Sequence, residues 1–419
     1  MCETVRMLPP AERMRALLEG RRPAYSLQRE LYVDTELYEL ELEHIWGREW
    51  VFAGHGIEIP GPGDYLTLPI GHYNIIVLRG ADGVVRALHN VCRHRGSMLC
   101  DQAQGSVQRR IVCPYHQWSY ELDGRLARAR KTDAGFEPND HGLVQASCEM
   151  VGGMIFVSVA ESPPDFAPVA SLVGRYLAPF DLEHAKVAFS STIVEDSNWK
   201  LVLENNRECY HCKGAHPELC ATFPEAPLHS GGGEGDDLAA LQQIVERCEA
   251  MGLPSAFTAS ADHQYRAMRL PLLGTARSMT HDGEPAVARR FGHLPADNIG
   301  DVLLYHYPST WNHFVADHAV TFRMLPIGPM QTQLTTTWLV PGSAEAGVDY
   351  DVESLTSVWL ATNAQDKVLV ERAQRGVRSP AYRPGPYSTA EEEGVIQLID
   401  WYATSMQGAL GDGLQGAPA

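Results

Sequence analysis

The sequence predicts an α+β protein. An all-β unit comes first, and a unit with an antiparallel sheet and a long C-terminal helix follows. Three observations carry this. Short β-favouring runs separated by turn residues fill the region from Trp50 to about Val159. Longer strand patterns cover residues 302–307, 314–325 and 333–340, and the apolar spacing of residues 352–374 is helical. The chain has 419 residues, 44% of them hydrophobic and 21% charged, which is a globular balance with room for two or three domains.

Taken in order, residues 7–19 have the spacing of a short amphipathic helix. Asp34 is a good N-cap for a second helix reaching about Trp46. The β runs are 50–53, 65–68, 74–78 and 84–89, with Ala81-Asp82-Gly83 as a hairpin turn between the last two. Pro163-Pro164 marks a boundary. Beyond it, residues 186–194 read as a strand leading into a helix over 198–213. Residues 230–237 are a polar Gly-rich loop, residues 238–251 are helical, and the Gly-rich tail after Met406 reads as frayed. The expected domains are 1–45 (N-terminal helices packing with the C-terminal domain), 46–160 (the β domain) and 161–419.

Composition excludes several functions. Lys plus Arg is 34 and Asp plus Glu is 52, a net charge of −18. So acidic a chain is a poor non-specific binder of nucleic acid or anionic membrane. No apolar run approaches the ~20 residues that cross a bilayer, and residues 1–27 lack the apolar stretch of a signal peptide. Nine irregularly spaced cysteines point to a reducing cytoplasm, with some thiols reserved for metal.

Two constellations carry chemistry. Cys92 and His94 form a Cys-x-His pair, and Cys113 and His116 a Cys-x-x-His pair. Two thiolates and two imidazoles on two loops suit either one tetrahedral zinc ion or a [2Fe–2S] cluster with both cysteines on one iron and both histidines on the other. The second constellation is Glu204-Asn-Asn-Arg-Glu208-Cys-Tyr-His211-Cys-Lys-Gly-Ala-His216-Pro217. On a continuous helix Glu204, Glu208 and His211 share a face, while His211 and His216 lie about 140° apart. Both imidazoles reach one ion only if the helix opens after His211, and Gly214 and Pro217 favour such a break. In the late helix Leu355, Val358, Trp359, Thr362, Leu369, Val370 and Ala373 trace an apolar stripe with Asp366 inside it. A carboxylate there is costly unless paired or bound to metal. With His211 and His216 it would complete a two-histidine, one-carboxylate iron site with positions left open for oxygen.

The flanks Asn90-Val91-Cys92-Arg93-His94-Arg95-Gly96 and Cys113-Pro114-Tyr115-His116-Gln117-Trp118-Ser119-Tyr120 resemble the Rieske signature. Over nearly its whole length the chain resembles the oxygenase (α) component of Rieske non-haem iron oxygenases. That resemblance implies an N-terminal Rieske domain, a helix-grip catalytic domain, a [2Fe–2S] cluster and a mononuclear Fe(II). It also implies a homotrimer, in which the carboxylate three residues before the first iron histidine bridges electrons between subunits. Here that position is Glu208, where ring-hydroxylating members typically carry Asp. Glu208, the run Tyr307-Pro-Ser-Thr-Trp-Asn-His313 and the run Ser379-Pro-Ala-Tyr-Arg-Pro-Gly-Pro-Tyr-Ser388 resemble the branch that demethylates quaternary amines.

No flavin or nicotinamide fingerprint is present, so a separate NAD(P)H-dependent reductase is expected. A quaternary ammonium substrate calls for aromatic faces, for which Tyr305, Tyr307, Trp311 and Phe314 are candidates. Its carboxylate would need Arg, His or Asn. Two other readings stand beside this one: the same machinery acting on an aromatic or other apolar substrate, and a zinc-stabilised binding protein without redox activity.

Overall fold

The computed structural model describes residues 7–412, which fall into two compact units, Trp46–Ala170 and Met1–Ile45 with Ser171–Ala419. The passage between them in sequence lies inside the helix Ala167–Leu177. Among the described residues no helix is long and apolar enough to cross a membrane. The expected frayed tail is helical as far as Asp412, and residues 413–419 lie outside the described residues, as do residues 1–6 of the expected N-terminal segment.

The unit Trp46–Ala170 is all-β. Strands β1 (Val51–His55), β2 (Asp64–Ile70), β3 (Tyr73–Arg79), β4 (Val85–His89), β5 (Gln104–Ser106), β9 (Gln145–Val151) and β10 (Met154–Ser158) form one antiparallel sheet in the order β1-β10-β9-β4-β3-β2-β5. The short strands β6 (Ile111–Val112), β7 (Ser119–Tyr120) and β8 (Leu126–Arg128) form a second. Alternating β-branched and aromatic residues bury one face, and Ile76, Leu78, Leu88, Ile111, Trp118 and Tyr120 close around Cys92, Cys100 and Cys113.

In the other unit, helix α1 (Pro10–Glu19) is followed by α2 (Thr35–Glu41), which Asp34 caps by accepting from the N–H groups of Glu36 and Leu37. The sheet is antiparallel, β11 (Ala185–Glu195)-β17 (Gln331–Pro341)-β16 (Ala319–Gly328)-β15 (Thr310–Phe314)-β14 (Asp301–His306)-β13 (Tyr265–Leu270)-β12 (Thr258–Ala259). After β11 come α3 (Trp199–Asn206), the single turn α4 (Cys212–Ala215) and α5 (Gly235–Ala250). The long α6 (Val352–Val377), capped by Asp351 through the Ser354 N–H, lies against α3 and β11, and α7 (Glu393–Asp412) ends the fold.

Two local expectations need correcting. The strand expected over 314–325 is two strands, because Asp317 and His318 make a hairpin turn. Buried Asp317 accepts from Ser278 and from the N–H groups of Ala286 and Val287, so polar turn residues sit in apolar surroundings and look like strand. The helix expected over 198–213 stops at Asn206, well before His211. Asn205 and Asn206 are weak helix formers whose side chains compete for backbone groups.

One buried knot ties the N-terminal helices to the sheet's helices. Glu41 accepts from Lys200 Nζ at 2.6 Å, Trp199 Nε1 at 2.8 Å and Tyr402 Oη at 2.6 Å. Both charged side chains are only 1% exposed, and burial draws the Lys200 ammonium down while Glu41 opposes that. Glu41→Ala would leave the ammonium buried without its counter-ion and cost about 3–5 kcal/mol. Thermal unfolding followed by circular dichroism should show that loss, whereas the apolar pair Glu41→Leu with Lys200→Met should recover most of it.

Candidate metal centres

Cys92 follows β4, and Cys113 stands between β6 and β7. Their loops close in the same way. Cys92 N–H donates to Ser97 O at 2.8 Å and Gly96 N–H to Cys92 O at 2.9 Å; Cys113 N–H donates to Trp118 O at 2.8 Å and Gln117 N–H to Cys113 O at 3.1 Å. The fourth residue after each cysteine is left-handed, Gly96 with φ 72° and Gln117 with φ 61°. Glycine adopts that region freely, and Gln117 does so at a cost of roughly 1–2 kcal/mol.

The two loops sort their donors by depth. Cys92 and Cys113 are buried, whereas His94 is exposed and stacks on Trp118 at 4.8 Å, with the His116 ring 4.6 Å away. Tyr120 Oη accepts the Arg93 N–H at 3.0 Å and shares a hydrogen bond with Cys92 Sγ at 3.2 Å. Burial pushes the Cys92 thiol up. Burial acts the same way on Cys113, but the N–H groups of His116 and Tyr115 outweigh it and draw that thiol down. A buried sulfur pair beside one exposed and one half-buried imidazole fits a cluster whose irons take different ligands.

The second centre starts where α3 ends. Glu208 Oε2 accepts the His211 N–H at 3.2 Å and also the Tyr210 N–H, so this side chain caps the turn after the break. His211 precedes α4 and His216 ends it with φ −125° and ψ 65°. The intervening turn swings the rings together until their Nε2 atoms are 3.0 Å apart. From α6, Asp366 Oδ1 stands 3.4 Å from His211 Nε2 and 3.0 Å from His216 Nε2.

The outer nitrogens fix what these three atoms are. His211 Nδ1 pairs with Glu208 Oε1, and His216 Nδ1 donates to Gln365 Oε1 at 2.8 Å. Gln365 is itself oriented by its Nε2 donating to Glu218 at 2.9 Å. With both Nδ1 atoms acting as donors, both Nε2 atoms present lone pairs. Three acceptors therefore converge on one point; the Asn205 amide reaches His211 Nε2 at 3.2 Å, Asp366 Oδ1 has no hydrogen-bond partner, and a cation among them would satisfy all three. Metal–ligand bonds of about 2.1 Å at right angles give an octahedral face with edges of about 3.0 Å, close to the triangle observed. Burial acts to lower His211, but Asp366 and Glu208 overcome it and raise this imidazole to about 10. Asp366 is lowered despite its burial, chiefly by the same two histidines. An electrostatic environment that attracts protons so strongly also favours a divalent ion. Cys212 lies near both imidazoles, but its hydrogen bond to Cys209, followed by burial, holds its thiol far up and leaves it a poor ligand.

Glu204 does not join this face, because the helix breaks between it and Glu208. It accepts from Tyr32 at 2.7 Å and Tyr387 at 2.9 Å, and burial pushes its carboxyl up to about 7. The run 379–388 thus contributes Tyr387, which anchors the helix leading to His211 and His216, and Tyr382, which packs edge-on to Tyr32 at 6.5 Å.

The pocket beside the three acceptors is walled by Asn205, Arg207, Phe223, Leu303, His313, Trp359 and Thr362, among others. Tyr305, Tyr307, Trp311 and Phe314 are not among its lining residues. Tyr305 follows Leu303 on the same strand face, but Arg207 and Arg266 sit over its ring at 4.2 and 4.4 Å and occupy it. Tyr307 packs between Tyr305 and Trp401, and Trp311 stacks on Phe322 at 5.2 Å. Phe314, one residue beyond His313, faces the other side of the sheet and meets Phe180 at 5.6 Å. The aromatic rings that do line the pocket, Trp359 and Phe223, escaped the sequence reading as ring donors. Trp359 carried a usable signal, seven residues before Asp366 on one stripe; Phe223 carried none.

The comparisons agree with this two-centre arrangement. Residues 49–146 match the Rieske [2Fe-2S] domain family, and residues 182–408 match the family described as ring hydroxylating alpha subunit (catalytic domain). The glycine betaine monooxygenase oxygenase subunit of Chromohalobacter salexigens is 46% identical over 401 residues, covering 93% of this chain and 88% of that relative. The protein of the same name from Pseudomonas aeruginosa strain UCBPP-PA14 is 44% identical over 417 residues, covering 97% and 95%. The fold is similar to that of the quaternary ammonium Rieske monooxygenase CntA, with a TM-score of 0.72, 21% identity and coverage of 96% and 99%. A Rieske [2Fe–2S] domain joined to a mononuclear-iron catalytic domain replaces the zinc-protein reading, and the chain belongs to the Rieske non-haem iron oxygenases as an oxygenase α subunit of the monooxygenase type, supplied with electrons by a separate reductase.

Proposed function

We propose that this oxygenase N-demethylates a small quaternary ammonium compound of the betaine type. One observation carries the reading: the pocket bordering the three convergent acceptors is lined by two aromatic residues, Trp359 and Phe223, and by the acidic Glu208. A permanent cation is stabilised by such faces and by nearby negative charge. The names of the two relatives described above point to the same substrate class.

Cys92, Cys113, His94 and His116 would hold the [2Fe–2S] cluster, and His211, His216 and Asp366 the Fe(II). When bound, these groups supply one-electron storage and dioxygen activation. Two electrons, two protons and one dioxygen turn an N-methyl group into N-hydroxymethyl and release water. The carbinolamine then loses a proton and separates into formaldehyde and the tertiary amine. Within this chemistry Trp359 and Phe223 hold the ammonium. Gln365 and Glu208 keep the two imidazoles in the tautomer that presents Nε2.

We assign Glu208 a second role, bridging to a Rieske histidine of a neighbouring subunit in a homotrimer. Its side chain is 12% exposed, and the adjacent Tyr210 is 67% exposed, so this turn reaches the surface of its unit. A cytoplasmic setting suits eight described cysteines, none of which is in a disulfide.

Three measurements test the proposal. Chemically reduced protein exposed to dioxygen should release formaldehyde with a panel of betaines and none with aromatic acids; hydroxylated aromatic products without formaldehyde would overturn the substrate class. Gln365→Leu should weaken iron binding about 10–100-fold in a chelator competition while leaving the cluster absorbance intact. Glu208→Ala should keep the cluster spectrum and lose about 10–100-fold in turnover; unchanged turnover would remove its bridging role.

A further inference from the structure

His313 lines the metal pocket yet belongs to neither ligand set. Its Nδ1 is 2.6 Å from Asp301 Oδ2, and Asp301 is fully buried, with its other oxygen accepting the Phe314 N–H at 2.9 Å. The pairing of β14 with β15 builds this contact, with Val302 opposite Phe314 and Leu303 opposite His313. Gly300 sets where β14 begins: its φ is 70°, and a Cβ there would collide with the Leu270 carbonyl oxygen. Two rings then clamp the imidazole, Trp359 with centroids 4.6 Å apart and Phe223 at 5.6 Å and near-perpendicular.

The clamped ring has one polar atom left to offer. Nδ1 is committed to Asp301, and among the described residues Nε2 makes no hydrogen bond. An imidazole fixed by a buried carboxylate in the wall of a pocket is held ready to meet a ligand through its remaining nitrogen. Arg207, the cationic side chain elsewhere in the wall, is less suited. Its guanidinium lies over the Tyr305 ring and hydrogen-bonds Asn206 Oδ1.

We propose that His313 Nε2–H binds the carboxylate of the substrate and makes the enzyme select zwitterionic betaines over quaternary amines that lack an acid group. This rests on the demethylase reading above and deepens it. Donation from both nitrogens needs the cationic form of the ring, for which Asp301 would be the counter-ion; Asp301 is thus a positioning residue. The substrate then spans the pocket, its ammonium on the aromatic faces and its carboxylate on the imidazole.

The test compares glycine betaine with choline, which has the same trimethylammonium group and a hydroxymethyl in place of the carboxylate. Formaldehyde release gives KM for glycine betaine, and competition gives the inhibition constant of choline. His313→Leu should raise KM for glycine betaine about 30-fold, the loss of one charge-assisted hydrogen bond, and change choline binding less than about twofold. His313→Gln, which keeps an N–H donor, should fall between wild type and His313→Leu. Asp301→Asn should raise the glycine betaine KM and spare choline. Iron content and cluster absorbance at wild-type levels would separate these effects from misfolding, and the Gln variant carries the test if the Leu variant loses iron. Equal changes for both ligands, or none, would overturn the assignment. A wild-type enzyme that releases no formaldehyde from any betaine would instead sink the demethylase reading on which it rests.

Discussion

Three electron-pair donors aimed at one point dominate the catalytic unit. His211 Nε2, His216 Nε2 and Asp366 Oδ1 stand 3.0–3.4 Å apart, with the Asn205 amide reaching only the first of them. Such an arrangement is unfavourable in a protein interior unless a cation sits among the donors. Much of the surrounding structure serves to hold it. The break after Asn206, the one-turn α4, the Glu218–Gln365–His216 relay and the Tyr32–Glu204–Tyr387 anchor each restrict where the three atoms can go. Because a metal-binding face has edges of only about 3 Å, small slack in any of these would separate the ligands.

Glu208 shows how one side chain meets several demands at once. Its Oε2 ends the helix break by accepting backbone N–H groups, and its Oε1 sets the tautomer of His211. An Asp at this position has one methylene less with which to reach both the turn and the ring. The structural use of the extra reach lies inside the chain, independent of any role across a subunit boundary.

The two constellations proposed as ligand sets could be picked out in the sequence because metal chemistry tolerates few residue types at few spacings. Cys92, His94, Cys113 and His116 declare themselves, and Asp366 stands out as a charge on an apolar stripe. The helix break was placed wrongly. Gly214 and Pro217 are strong local signals, but Asn205-Asn206 together with the Glu208 cap acts earlier in the chain. The substrate wall was the least legible. Aromatic residues on β14 and β15 were sound candidates by alternation, yet a pocket is chosen by position along the strand as well as by face. Tyr305 and Tyr307 lie beyond Leu303, where Arg207, Arg266 and Trp401 already cover their rings. Phe223 comes from a connection whose path only the folded chain reveals.

Charge accounts for why such a wall suits a zwitterion. A divalent ion held by one carboxylate keeps a net positive charge, and a permanent ammonium placed beside it is repelled. Two unit charges about 4 Å apart in a partly solvated site interact by about 4 kcal/mol, enough to exclude a bare cation. The pocket answers with the Glu208 carboxylate and with the electron-rich faces of Trp359 and Phe223. A substrate that carries its own carboxylate brings further compensation, provided the protein supplies a donor at that end. The Asp301–His313 pair stands in the same wall, with the Asp301 carboxylate buried and held to Nδ1 of the ring. On the proposed reading, a dipolar substrate finds both partners in one wall, where Trp359 and Phe223 pack directly on the His313 ring.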